Sequence, residues 1–190
     1  MKDHETQAGC QLLRRAPSPR RGRGAAAKPA AGKIVRKAVE KLEKPIVRVT
    51  GPDHRLPTQV VRVERRDFHA TAQFRRKMAA LKKLSDEGKL YKATNPVERD
   101  KSITDGYKDR IRQKIWDKYW PHDKDFANRL SQRLSDYHPD HVWELQLGGP
   151  DTVDNLKLLH GRTNTDIGSQ IWGQIQNLPD GTPIRIEVVD

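Results

Sequence analysis

The first 33 residues show neither helical nor strand-like apolar periodicity, so any folded core in this chain must be assembled from residue 34 onward. The run Ala16-Pro17-Ser18-Pro19-Arg20-Arg21-Gly22-Arg23-Gly24 mixes Pro, Gly and Arg, and Ala25 to Gly32 is low in complexity. Apolar residues make up 34% of the whole chain and aromatics 6%. So thin a supply cannot offset the ordering entropy of every residue. Residues 1–33 are therefore predicted to be a disordered basic tail.

Charge is placed as unevenly as apolarity. The 190 residues carry a formal net charge of +12. Residues 1–45 hold 12 Lys/Arg against 4 Asp/Glu, whereas residues 136–190 hold 3 against 9. The middle, 46–135, thus carries a net +10. An excess of this size favours a polyanionic partner such as nucleic acid through release of condensed counterions, although a solvated face has the same composition. The single cysteine, Cys10, excludes a disulfide within the chain and a Cys-based zinc knuckle. No apolar run approaches the ~18 residues of a membrane span, and no apolar h-region marks a classical signal peptide. A place of action in the cytoplasm is expected, reached by delivery into a target cell if the protein is secreted.

The periodicities predict an α+β fold. In 34–67, Ile34 to Leu42 reads as a short helix. Ile46-Val47-Arg48-Val49 and Val60-Val61-Arg62-Val63 read as strands of a hairpin around Gly51-Pro52. A basic helical region is expected over 68–135. Its first helix carries Phe74, Met78, Leu81 and Leu84 on one stripe, with Arg75, Arg76, Lys77, Lys82 and Lys83 projecting as a solvated or phosphate-contacting face. Gly88 stops it. Helices over Thr104–Tyr119 and Asp123–Leu134 come next. In 136–190 the order is strand (Val142–Leu147), loop (Gly148-Gly149-Pro150-Asp151), strand (Leu156–Leu159), helix (Asn164–Leu178) and terminal strand (Ile184–Val188).

The chemistry-bearing residues gather in this last third, between Asp140-His141 and Asn164. Phosphodiester hydrolysis needs a base that is active near neutral pH, which histidine supplies. It also needs a hard cation on oxygen ligands to offset the charge of the leaving oxygen. Asp140 and His141 are neighbours on a strand, so their side chains diverge unless the backbone bends near Pro139. Asn164, at a helix start, can bring an amide oxygen in from the facing element.

The pattern Asp140-His141, Gly148-Gly149, Asp151, Asn155-Leu156-Lys157-Leu158-Leu159 and then Asn164 resembles the HNH nucleases, of the His-Me finger or ββα-metal group, over residues 138–175. The intervals of 15 from Asp140 to Asn155 and 9 from Asn155 to Asn164 are those of that family's pattern. The resemblance implies a C-terminal ββα-metal module in which His141 is the general base and Asp140 the first metal ligand. Asn155 would open the second strand and brace the histidine by a hydrogen bond, and Asn164 would be the second metal ligand. One divalent ion is implied, Mg²⁺ foremost, with Mn²⁺, Ni²⁺ and Zn²⁺ as alternatives. Where many members carry zinc-binding cysteines, this chain has His160 and Thr163, so no structural zinc knuckle is expected.

The run Glu144-Leu145-Gln146-Leu147-Gly148-Gly149 further resembles HNH-like domains at the C-termini of bacterial polymorphic toxins and secretion-system effectors. That resemblance implies an antibacterial toxin with a cognate immunity protein. An endonuclease acting on DNA more than RNA is expected, of low sequence specificity, because phosphate contacts from the basic helices position a substrate without specifying it. Each residue also has a plainer reading. Asp140 and His141 can be a surface pair, Asn155 a turn residue and Asn164 an N-cap. His138 and His160 read as structural or substrate-facing. Arg162 can contact the scissile phosphate or lie solvated in a loop, and Glu144 reads as structural. The competing functions are a basic nucleic-acid-binding protein with a degenerate finger, an RNase, and a housekeeping or phage endonuclease.

Overall fold

The computed structural model describes residues 46–95 and 97–189. The tail expected at 1–33 and the helix expected at Ile34–Leu42 lie outside the described residues. Within 46–189 the fold mixes helices and strands, β1 (Gln59–Glu64), α1 (Thr71–Asp86), α2 (Lys101–Tyr119), α3 (Lys124–Arg133), β2 (Tyr137–His141), β3 (Leu156–His160), α4 (Gly161–Ile175) and β4 (Ile184–Val189). None of these helices is long and apolar enough to cross a membrane.

The core is built from short apolar stripes. Phe74, Met78 and Leu81 of α1 and Ile167, Ile171 and Ile175 of α4 recur at helical spacing, and all six are buried. They pack with Val61 and Val63 of β1, Leu159 of β3, and Ile184 and Ile186 of β4, with Leu90 and Leu147 from the connections. The helices begin and end where their caps dictate. Asp100 and Asp123 accept hydrogen bonds from the Ser102 and Phe126 N–H groups at the starts of α2 and α3. Gly88, just past α1, has a φ of 66° that a residue with a Cβ rarely adopts. Tyr107, Ile111 and Ile115, at helical spacing on α2, are only half-buried; α2 packs on α3 and β2.

The hairpin expected from Ile46–Val49 and Val60–Val63 does not form. β1 instead pairs in parallel with β4, in register from Gln59↔Ile184 to Glu64↔Val189. Its other edge is closed by α4. Gln174 bonds both the N–H and the C=O of Arg62, and Gln170 does the same for Glu64. Four residues of helix rise about 6 Å and two of strand about 6.6 Å, so glutamines at i and i+4 meet alternate strand residues. With both edges occupied, 46–49 does not join the sheet: Ile46 and Val47 are exposed, and the Val49 N–H bonds the Thr94 hydroxyl at 3.0 Å. The β1–β4 pair also places the divisions expected at 67/68 and 135/136 inside one compact unit, Lys44–Asp190.

A second correction concerns the strand expected at Val142–Leu147. The strand lies earlier, at Tyr137–His141, and pairs antiparallel with β3 from Tyr137↔His160 to His141↔Leu156. Residues 142–150 form a folded loop instead, with a single 3₁₀ turn at Leu145–Leu147. The order strand, loop, strand, helix survives, shifted by a few residues.

Candidate functional site

The loop between β2 and β3 is shaped by the glycine pair and Asn155. Gly148 has a φ of 83°, and a Cβ there would stand 2.3 Å from the Tyr91 ring. A Cβ on Gly149 would stand 2.0 Å from the Trp143 carbonyl oxygen. Neither position tolerates a side chain. Asn155 then clamps the loop. Its Oδ1 accepts from the Trp143 N–H at 2.9 Å, and its Nδ2 donates to the carbonyls of Trp143 at 2.9 Å and Pro150 at 2.8 Å. The expected hydrogen bond from Asn155 to the histidine is therefore absent: its side chain is spent on loop backbone, as the tight Gly148-Gly149 turn requires.

The histidine is braced by another residue. His141 Nε2 lies 2.7 Å from Asp151 Oδ1. Burial pushes the Asp151 carboxyl up, but the hydrogen bonds from the Asp100 N–H and from His141, with the nearby Arg99 charge, hold it below the ordinary carboxylate range. An ionised carboxylate only accepts, so Nε2 carries the proton. In the neutral ring Nδ1 then keeps its lone pair, and the hydrogen bond recorded for the ring among the described residues is at Nε2.

Asp140, the other half of the pair, is buried and faces α1. Lys77 Nζ donates to its Oδ1 at 2.8 Å and Oδ2 at 3.0 Å, stands 2.8 Å from Glu144 Oε1, and bonds the His141 carbonyl. Lys77, expected on a solvated face, instead has a buried side chain. The reason lies in its register: it sits three residues after Phe74 and four before Leu81, on the stripe that faces the core. Burial lowers the Lys77 ammonium's affinity for its proton, but Glu144 and Asp140 more than reverse this and raise it. Burial pushes the Asp140 carboxyl up to about 6, against the pull of Lys77 and with the help of the Glu144 charge. Two carboxylates and one ammonium leave a net charge of −1.

These side chains open onto one cavity of about 250 Å³, lined by Arg99, Asp140, His141, Glu144 and Asn164 among others. Asp140 and His141 do reach the same cleft, at the end of the strand rather than at a bulge. Asn164 joins them from the first turn of α4, which begins at Gly161 and not at Asn164 as expected. A neighbouring cavity of about 580 Å³ shares Arg99, Pro139 and Asn164 and adds Lys101, Lys108 and His138. Arg162 is not in either wall; its guanidinium lies 3.9 Å over the Phe68 ring. His160 ends β3 and lines neither cavity, its N–H bonding Gln73.

The donors available for a cation are hard oxygens, the Asp140 and Glu144 carboxylates and the Asn164 amide. Glu144 Oε1 is buried 2.8 Å from Lys77 Nζ, so a cation in the cleft would have to take the carboxylate's other oxygen. Such a set fits a hard divalent ion better than a soft one. No group of three or more His, Cys, Asp or Glu side chains is arranged to hold a metal among the described residues, so an amide oxygen and waters would have to complete the shell. Three residues of the site, Lys77, Asp151 and Arg99, have no site role assigned to them from the sequence. Lys77 had a signal, a lysine on a buried stripe; Asp151 had one, an acid between the glycine pair and Asn155. Arg99, in an irregular segment, had none.

Compared with the models of known protein families, with curated proteins and with solved structures, the chain matches none.

Proposed function

We propose that this chain is a metal-dependent endonuclease of the HNH type that residues 138–175 resemble, hydrolysing the phosphodiester bonds of DNA with low sequence specificity. The observation that carries the reading is the convergence of Asp140, His141 and Asn164 on one cavity with Arg99. The element order of β2, loop, β3 and α4 supports the ββα-metal module. His141 takes a proton from water at Nδ1, while Nε2–H stays bonded to Asp151 and orients the ring. Arg99 draws a phosphate into the cavity and offsets its charge. Asp140 and Asn164 would hold the divalent ion, Mg²⁺ foremost, which when bound supplies Lewis-acid stabilisation of the leaving oxygen.

The test is nicking of supercoiled plasmid by the full chain. Cleavage is expected with Mg²⁺, is lost in EDTA and is lost in His141→Ala, while the circular dichroism spectrum and gel-shift binding of that variant stay intact. Cleavage by His141→Ala at the wild-type rate, or cleavage in EDTA, rejects the mechanism. An RNA substrate in parallel separates a DNase from an RNase.

We further assign it to the antibacterial toxins whose nuclease domains the Glu144–Gly149 run resembles, active in a target cell's cytoplasm and neutralised by a cognate immunity protein. Expression toxicity that His141→Ala relieves is the expected sign; equal toxicity of that variant counts against it. One observation favours a second reading, a basic nucleic-acid-binding protein with a degenerate finger: both Asp140 oxygens already hold Lys77. DNA binding without cleavage across a metal series is what that reading requires.

A further inference from the structure

We infer that Lys77 is a built-in counter-cation that holds down the affinity of the Asp140–Glu144 carboxylate pair for a divalent metal, an inference that rests on the nuclease reading above. Asp140 is the one residue that the cleft shares with a third cavity on its far side. Its front lines the 250 Å³ cleft with His141, Glu144 and Asn164. Its back lines a separate space of about 110 Å³ with Arg76, Lys77, Val142 and Lys157. Lys77 is absent from the wall of the cleft and enters from this rear side. Its Nζ touches both Asp140 oxygens, Glu144 Oε1 and the His141 carbonyl, so a single ammonium joins the residues on both sides of the turn after β2.

Charge and geometry have two consequences here. The carboxylate lone pairs that face the cleft are left for a second cation, which can approach from the opposite side of Asp140. That cation meets a net charge of −1 instead of the −2 of the bare pair, and in a buried site the difference is weakly screened. The same ammonium spares the fold an unpaired carboxylate at buried Asp140 and another at half-buried Glu144 in the metal-free protein. Lys77 is thus a positioning residue that keeps the site assembled without metal, at the expense of affinity for it. A purely structural lysine would share the second effect and not the first.

The experiment measures Mn²⁺ binding by electron paramagnetic resonance, and melting temperature with and without Mn²⁺, on the full chain carrying Lys77→Met and, as a milder change that keeps a hydrogen-bond donor, Lys77→Gln. Plasmid nicking is run beside it. The expected result is Mn²⁺ binding tighter by about tenfold or more in Lys77→Met. The metal-free protein should melt lower than wild type, and Mn²⁺ should restore most of that loss. Glu144→Gln, with one charge fewer, should move affinity the other way. Unchanged or weaker Mn²⁺ binding in both Lys77 variants, with wild type still binding Mn²⁺ and cleaving, overturns this inference alone. Failure of wild type and all variants to bind Mn²⁺, with no cleavage, overturns the nuclease reading with it.

Discussion

The proposed mechanism has His141 take a proton at Nδ1, which needs the neutral tautomer protonated at Nε2, and Asp151 selects that tautomer. The carboxylate oxygen 2.7 Å from Nε2 accepts and cannot donate, so the proton sits on Nε2 and the lone pair on Nδ1. Asp151→Asn replaces that acceptor with an amide whose NH₂ can turn toward Nε2 and move the ring proton to Nδ1. The nicking rate should fall by about 10²–10⁴-fold with the fold and DNA binding retained. A rate within a few-fold of wild type would remove Asp151 from the mechanism. A second consequence concerns acid stability. The Asp151 carboxyl is depressed in the fold, so its stabilisation is present above its unfolded range near about 3.9 and is lost as pH falls through the lower folded value. The melting-temperature gap between wild type and Asp151→Asn should therefore be full at pH 7 and shrink below about pH 4. A gap that widens in acid contradicts the assignment.

At the scale of elements, α4 does two jobs with its two faces. Ile167, Ile171 and Ile175 enter the core, and Gln170 and Gln174 finish the edge of β1. Each glutamine exchanges a pair of hydrogen bonds with strand backbone, as a neighbouring strand would, and so caps an edge that would otherwise be open to pairing with another chain. Replacing both by Ala should cost about 1–3 kcal/mol, since the backbone groups they leave are partly solvated. Urea unfolding measures it, and light scattering should show more self-association; a neutral double variant would mean that water serves the edge equally well.

This arrangement also explains what could and could not be read beforehand. Helical stripes are local, so α1 and α4 were legible to within a few residues. The β1–β4 pair joins residues more than a hundred positions apart, and nothing in Val60–Val63 says whether its partner is Ile46–Val49 or Ile184–Val188. β2 reads Tyr-His-Pro-Asp-His, without alternation; its strand character comes from pairing with β3. Of the site, Asp140, His141 and Asn164 were expected from the resemblance to the HNH pattern. Lys77 and Arg99 were not, because their roles exist only once α1 and the segment before α2 are brought against β2.

Over the whole molecule, charge divides the labour. The segment that carries the cleft, 136–190, is acidic, and the preceding 46–135 is strongly basic. An acidic cleft repels phosphate, so under the nuclease proposal the grip on the substrate would come from the basic segment where it meets the cleft. That meeting point is the 580 Å³ cavity, where Arg99, Lys101 and Lys108 outnumber Asp105. Lys108 is partly committed, since its Nζ donates to the Tyr137 carbonyl at 2.9 Å, and Lys101 Nζ lies 3.8 Å from Asp105, one turn on, which leaves Arg99 as the freer charge. The exposed lysines of α1 make similar pairs, Lys82 and Lys83 lying 3.6 and 4.0 Å from Asp86 and Glu87, but they line neither cavity. If the backbone of the substrate tracks the cavity, Arg99→Gln with Lys101→Gln should weaken DNA binding for every sequence alike and reduce the slope of log K against log salt by about 1.8. Lys82→Gln with Lys83→Gln should leave that slope nearly unchanged. A reversal, with the α1 pair carrying the salt dependence and the Arg99 pair silent, would move the nucleic-acid path off the cleft and onto the outer face of α1.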